Sequence, residues 1–80
     1  MQNANFSNAN LHDVNLSGAL LFGTNFRAAD LSGANLKGVI FSGVNLSGAN
    51  LSNADLIDAN TRGANFTGAI TNDCNGCPQK

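Results

Sequence analysis

The sequence predicts an all-β solenoid, in which the chain coils around one apolar axis and turns a corner once in every five residues. Three observations predict this fold class. A large apolar residue recurs at every fifth position, a residue suited to positive φ follows two positions later, and several departures recur after twenty residues. A period of five fits neither a helix, which repeats every 3.6 residues, nor a strand, which repeats every two.

The central column of the repeat is predicted to form the core. Twelve of its fourteen positions are Leu or Phe, and the position two residues before each of them is always small. Because alternate side chains of an extended segment point to opposite sides, both positions are predicted to face inward. The predicted core column is Phe6, Leu11, Leu16, Leu21, Phe26, Leu31, Leu36, Phe41, Leu46, Leu51, Leu56 and Phe66.

The corners are predicted by the column that lies two residues after each centre. It holds eight of the nine glycines, and its other members are Asn or Asp, apart from Ala28. These residue types reach positive φ at the lowest energetic cost. A type II turn requires positive φ at its third residue, so each block of five is predicted to carry one such turn.

The number of sides follows from features that recur after twenty residues. Phe6, Phe26 and Phe66 are spaced by multiples of twenty, and so are Leu20 and Ile40, which replace the usual Asn or Asp. Four sides of five residues would stack each set in one column. We therefore predict about twenty residues per coil and about 3.5 coils, with a repeat domain at 1–73 and a tail or cap at 74–80.

The repeats also resemble a known family. The blocks "ANLSN", "ADLID", "ANLKG" and "ANFTG" look like the A(D/N)LXX unit of the pentapeptide repeat proteins, and the match covers about residues 4–73. The resemblance implies a right-handed, four-sided β-helix with twenty residues per coil. The handedness comes from the resemblance alone. Most members of that family have no known biochemical role, so the resemblance names no partner.

Length and charge exclude several classes of function. The chain of 80 residues has a net charge of −1 and only 11% charged residues, so no nucleic-acid partner is expected. No apolar run approaches the roughly 18 residues of a membrane span, so no membrane partner is expected. The first residues lack the features of a secretory leader. The compartment is open: cytoplasmic by default, lumenal or periplasmic if the two cysteines are oxidised.

Cys74 and Cys77 form a C-x2-C motif with several interpretations. The first is a local disulfide, or two free thiols, at the last turn. An intermolecular metal or disulfide link is a second. A redox-active pair usually stands at a helix N-terminus, which the sequence does not predict here. A zinc site usually needs four ligands, and only His12, about three coils away, could add one. No metal or cofactor is predicted.

His12 and Asp13 are the one pair that resembles acid–base chemistry. They occupy an outward and a corner position, and no Ser or Cys is expected in a pocket beside them. A solvated histidine and a turn-forming aspartate explain both residues. The recurring Asn column is likewise assigned to local hydrogen bonds with the backbone. No catalytic residue is predicted, and the protein is not expected to be an enzyme.

A candidate interface consists of apolar residues at outward positions. Leu20, Phe22 and Ile40 fall on one face of a four-sided coil, and Ile57 lies just across a corner. A contiguous exposed apolar patch often marks an interface. Packing against a terminal segment and neutral variation are the alternatives. The first coil also lacks an obvious cap, so we expect it to stack on a second copy or on an upstream coil.

These observations favour a non-enzymatic, rigid structural or protein-interaction module that associates with itself, end to end or face to face, or with another protein. The family resemblance supplies an alternative, since some pentapeptide repeat proteins mimic duplex DNA and protect gyrase from quinolones. That role requires a long acidic surface. The chain is short, and its five aspartates are offset by four basic residues, so the alternative is disfavoured.

Overall fold

A computed structural model describes residues 3–77, in which the chain turns a corner after every short side. Within this range there is no helix, and each side contributes a single residue to a parallel bridge. The predicted extended segments are this short because a corner in every block of five interrupts the backbone pairing. The bridges form four columns: Asn5, Asn25, Asn45 and Asn65 on the first face; Asn10, Asp30, Asn50 and Ile70 on the second; Asn15, Asn35, Asp55 and Asn75 on the third; Leu20, Ile40 and Asn60 on the fourth.

Every bridge joins residues that are twenty apart, which agrees with the predicted length of one coil. Three backbone hydrogen bonds illustrate the contact between coils. The N–H of Phe6 donates to the carbonyl of Asn25 at 2.7 Å, and the N–H of Asn25 donates to the carbonyl of Ala4 at 2.9 Å. The N–H of Asn8 donates to the carbonyl of Arg27 at 2.9 Å. Each coil therefore satisfies the backbone of its neighbour, as in other solenoids.

The corners are hydrogen-bonded turns, as the sequence predicts. In the first complete turn, the N–H of Ala9 donates to the carbonyl of Phe6 at 3.0 Å, and Asn8 has a φ of 62°. All fourteen predicted corner positions have positive φ. Ala28 is one of them, with a φ of 58°, although this conformation costs a non-glycine residue about 1–2 kcal/mol.

The Asn and Asp residues of the bridge columns fix the entry to each corner. Eleven of the twelve, all but Asn75, use Oδ1 to accept a hydrogen bond from the N–H two residues later, as Asn5 does from Ser7 at 3.0 Å. In the central coils the hydroxyl of the following serine donates to the same oxygen, for example Ser47 to Asn45 at 2.7 Å. These local bonds account for the Asn column without any ligand.

The core is a continuous stack of Leu and Phe side chains inside the coils. Eight members of the predicted core column are fully buried: Leu21, Phe26, Leu31, Leu36, Phe41, Leu46, Leu51 and Leu56. The rings of Phe6 and Phe26 stack at 5.5 Å, and those of Phe26 and Phe41 meet edge to face at 5.9 Å. Burial of each such side chain stabilises the fold by about 2 kcal/mol before entropy costs.

Four residues of the predicted core column are only partly buried. They pack against the core but belong to the outer coils: Phe6, Leu11, Leu16 and Phe66. Within the described residues, an outer coil has a neighbouring coil on one side only. Its central side chains therefore keep part of their surface in contact with solvent.

The regular pattern ends near Cys74. Asp73 is the last corner in phase, and Asn75 still pairs with Asp55, but Gly76 departs from the repeat with a φ of 79°. Cys74 and Cys77 form a disulfide, with their Cα atoms 5.6 Å apart. Residues 78–80 of the predicted tail lie outside the described residues.

Candidate functional site

The fourth face of the coil carries an apolar surface, which we call the fourth-face patch and define as Leu20, Phe22 and Ile40. Leu20 and Ile40 pair directly in a parallel bridge, so their side chains lie side by side at successive levels. Leu20 is 49% exposed and Phe22 is 39% exposed, whereas Ile40 is half-buried. Ile40 is thus less exposed than predicted, because Leu20 and Asn60 pair with it on both sides.

The patch departs from a local rule that the rest of the chain obeys. Leu20 and Ile40 occupy bridge positions at which twelve other residues are Asn or Asp. A Leu or Ile side chain has no oxygen, so neither can accept the N–H of the residue two positions later. The missing bond is worth about 0.5–1.5 kcal/mol. Residues that depart from a local sequence pattern and are not fully buried are typical of a functional surface.

Two further isoleucines are exposed. Ile57, the fourth member of the candidate interface, is 41% exposed and belongs to the segment that leaves the third face. Ile70 is 46% exposed on the second face, two corners away from the patch. It was not among the residues predicted to form an interface. The signal was available, since Ile70 is the third bridge position that lacks an Asn or Asp.

A polar cluster surrounds His12 on the exposed surface. The Nδ1 atom of His12 lies 2.9 Å from the Oγ atom of Ser32. The Nε2 atom of His12 lies 3.1 Å from Oδ2 of Asp13. Ser32 stands twenty residues after His12, so the coil period itself predicts this contact. The contact joins two coils, so neighbours along the chain do not reveal it.

The cluster resembles a Ser–His–Asp arrangement but lacks the features of a nucleophilic site. The hydroxyl of Ser32 donates to Oδ1 of Asp30 at 2.6 Å, so its proton is directed to that carboxylate. The side chains of His12 and Asp13 are 58% and 67% exposed, and an exposed cluster does not exclude water. We assign these four residues to the contact between two coils.

Hydrogen bonds from Ser32 hold the pKa of Asp30 below its ordinary value of 3.8. The main cause is the hydroxyl of Ser32, followed by the N–H of Ser32 and, more weakly, the charge of His12; desolvation opposes them. These bonds stabilise the ionised carboxylate. Its contribution to stability is therefore full above the unfolded pKa and is lost as the pH falls through the folded pKa.

We expect the substitution Ser32→Ala to raise the pKa of Asp30 towards its ordinary value, because the strongest donor to the carboxylate is removed. The N–H of residue 32 still donates, so the return is incomplete. Carbon-detected NMR of the side-chain carboxyl measures this pKa directly. The control is Ser52→Ala, one coil further, where the same hydroxyl contact is made with Asn50. An unchanged pKa in Ser32→Ala contradicts the assigned cause.

The described residues contain neither a metal-binding cluster nor a membrane-spanning helix. In the part of the chain from 3 to 77, no three residues among His, Cys, Asp and Glu are grouped so that they could hold a metal ion. Over the same residues, no helix has the length and apolar character needed to cross a bilayer. One surface ion pair links coils, between Nζ of Lys37 and Oδ2 of Asp55 at 3.7 Å.

These features define a class of protein: a solenoid of five-residue sides with a packed axis and chemistry confined to its outer faces. The sequence profile described as pentapeptide repeats matches the chain in eight copies, over residues 1–38 and 39–70. The chain belongs to the pentapeptide repeat family. None of the curated proteins matches it.

Solved structures support the same conclusion. The pentapeptide repeat protein Rfr23 from the cyanobacterium Cyanothece 51142 is 31% identical, with a TM-score of 0.73, over 94% of this chain and 62% of its own. HetL, a pentapeptide repeat protein involved in heterocyst differentiation regulation in the cyanobacterium Nostoc sp. strain PCC 7120, is 42% identical, with a TM-score of 0.65, over 90% and 32%. AT2G44920 from the Arabidopsis thaliana thylakoid lumen is 31% identical, with a TM-score of 0.57, over 85% and 60%.

The chain spans less than two thirds of the length of each of these proteins. Their fold implies the right-handed β-helix that the resemblance predicts. The figure of about 3.5 coils stays a prediction.

Proposed function

We propose that this protein is a rigid, non-enzymatic interaction module that associates with a second copy of itself through the fourth-face patch. The observation that carries the proposal is the bridge between Leu20 and Ile40, with Phe22 exposed beside it. Leu20 and Ile40 replace the usual Asn or Asp at adjacent levels of one face, and both replacements enlarge the same apolar surface. The involvement of HetL in heterocyst differentiation regulation supports recognition as the task of this scaffold.

A second copy is the occupant that fits the size of the surface. An apolar patch that pairs with itself about a two-fold axis needs no further partner. The molecule measures 27 × 24 × 23 Å, so a whole side of 24 by 23 Å would limit the interface to about 550 Å² per copy and about 1,100 Å² for a pair. This area lies at the low end of specific interfaces. We therefore propose a weak association that depends on concentration.

The double substitution Leu20→Asn and Ile40→Asn tests the proposal. Asn is the usual residue of these columns, so the variant removes the apolar surface and can supply the missing turn bond. We expect the wild-type mass in sedimentation equilibrium to rise with concentration, whereas the double variant stays monomeric. Its urea midpoint should equal or exceed that of the wild type.

The matched control is Ile70→Asn, which makes the same chemical change on the second face. It should associate like the wild type if the fourth-face patch is the interface. A wild type that is monomeric at all concentrations overturns the self-association, and so does a double variant whose mass follows that of the wild type.

A further inference from the structure

The loop from Cys74 to Cys77 interrupts the repeat, and its last residue, Cys77, is buried. Gly76 stands where Leu16, Leu36 and Leu56 stand in the coils before it, and it supplies no side chain to the core. A Cβ atom at Gly76 would lie 3.0 Å from the carbonyl carbon and oxygen of Leu56 and from the nitrogen of Ile57. Together with its positive φ, this close approach restricts the position to glycine.

Cys77 supplies a buried side chain at the end of the core. Leu56, in the last regular coil, is 1% exposed. Cys77 is 7% exposed and belongs to the same core cluster, and Cys74 packs against that cluster from its edge. The disulfide therefore links Cys77, a buried member of the core cluster, to Cys74, near which the regular repeat ends.

We propose that the Cys74–Cys77 disulfide is a thiol–disulfide exchange site. Its reduction by a dithiol releases Cys77 from the core and allows the last turn to open. The inference is independent of the proposed self-association, since it concerns a different part of the molecule. The partner that it implies is a dithiol reductant, recognised by the chemistry of its paired thiols.

The exchange follows from the burial of the two cysteines. Cys74 is the more accessible, so a thiolate of the reductant attacks its sulfur, and the bond between the two cysteines breaks. Cys77 leaves as a thiolate and takes a proton from water. The second thiolate of the reductant then attacks its own sulfur in the mixed disulfide, and Cys74 leaves and is protonated. The reductant is oxidised by two electrons, and the cystine becomes two thiols.

The structural consequence should appear in two backbone hydrogen bonds. The N–H of Leu56 donates to the carbonyl of Asn75 at 2.7 Å, and the N–H of Asn75 donates to the carbonyl of Ala54 at 2.9 Å. Both depend on the loop staying in place over the coil. Cleavage removes the covalent link between Cys74 and Cys77, so the loop is free to open away from the coil and both bonds weaken.

Hydrogen exchange measured by NMR tests the proposal, with dithiothreitol as the reductant. We expect the amide of Leu56 to exchange about tenfold faster or more after reduction, because the turn that protects it opens locally. The amide of Leu36, which donates to Asp55 at 2.8 Å one coil away, is the internal reference and should not change. Thiol labelling reports the extent of reduction in the same samples.

The substitution Cys74→Ser separates the cross-link from the packing of Cys77. We expect its Leu56 amide to exchange fast with or without dithiothreitol, while the amide of Leu36 stays protected. Three results overturn the proposal: a disulfide that dithiothreitol leaves intact in the folded protein, a Leu56 amide equally protected in both redox states, or a protected Leu56 amide in Cys74→Ser.

Discussion

The substitution Phe41→Ala is expected to lower the free energy of unfolding by about 3–5 kcal/mol. Phe41 is fully buried and meets the ring of Phe26 edge to face, so its truncation leaves a cavity in the packed axis. A domain of this length has a total stability of about 4–12 kcal/mol. The variant should therefore be at the margin of folding, as equilibrium unfolding in urea can measure.

Phe22→Ala provides the matched control for this prediction. Phe22 lies on the same face, and the same atoms are removed, but its side chain is 39% exposed. Its effect on unfolding should stay below about 1 kcal/mol, provided that it is measured at a concentration where the protein is monomeric. Equal effects of the two substitutions would mean that the axis is not the main source of stability.

Insertion of one glycine between Gly43 and Val44 is expected to abolish cooperative folding. Each later residue would move by one place, so the Asn and Asp columns would be directed to the axis and the Leu and Phe columns away from it. A shift of one residue in an extended segment reverses the direction of every side chain. The loss should exceed the total stability of about 4–12 kcal/mol, because the later core residues and their bridges all lose their partners.

Insertion of twenty residues provides the control for the register. A second copy of residues 29–48, placed after Gly48, preserves both the period of five and the pairing of residues twenty apart. We expect this longer chain to fold with at least the stability of the wild type, since a solenoid gains one more interface between coils. Circular dichroism and urea unfolding compare both variants. A cooperative transition near the wild-type midpoint for the one-residue insertion would contradict the prediction.

The corners were predictable because a corner is a local property. Positive φ is accessible to Gly, Asn and Asp at low cost, so one column of the sequence marks every turn, and the structure has positive φ at all fourteen positions. The same locality explains the Asn column, whose bonds reach only two residues along the chain. Ala28 was predicted from its phase alone, against its own preference.

The apolar surface was only partly predictable. Leu20 and Phe22 are exposed as expected, because they sit at outward positions of a recognised pattern. Ile40 is half-buried, and Ile70 was missed, since exposure depends on what stands at the next level of the same column. The partial burial of Phe6 and Phe66 has the same origin in the neighbouring coils.

By itself, the sequence determined where this chain turns and which side chains enter the axis, because both follow from short-range backbone preferences and from alternation along the chain. Only the tertiary structure decided which residues meet across coils. The contact of His12 with Ser32 and the burial of Cys77 beneath a turn that carries a glycine are examples. Such contacts join residues that are distant in sequence or that leave the repeat, and no local preference specifies them.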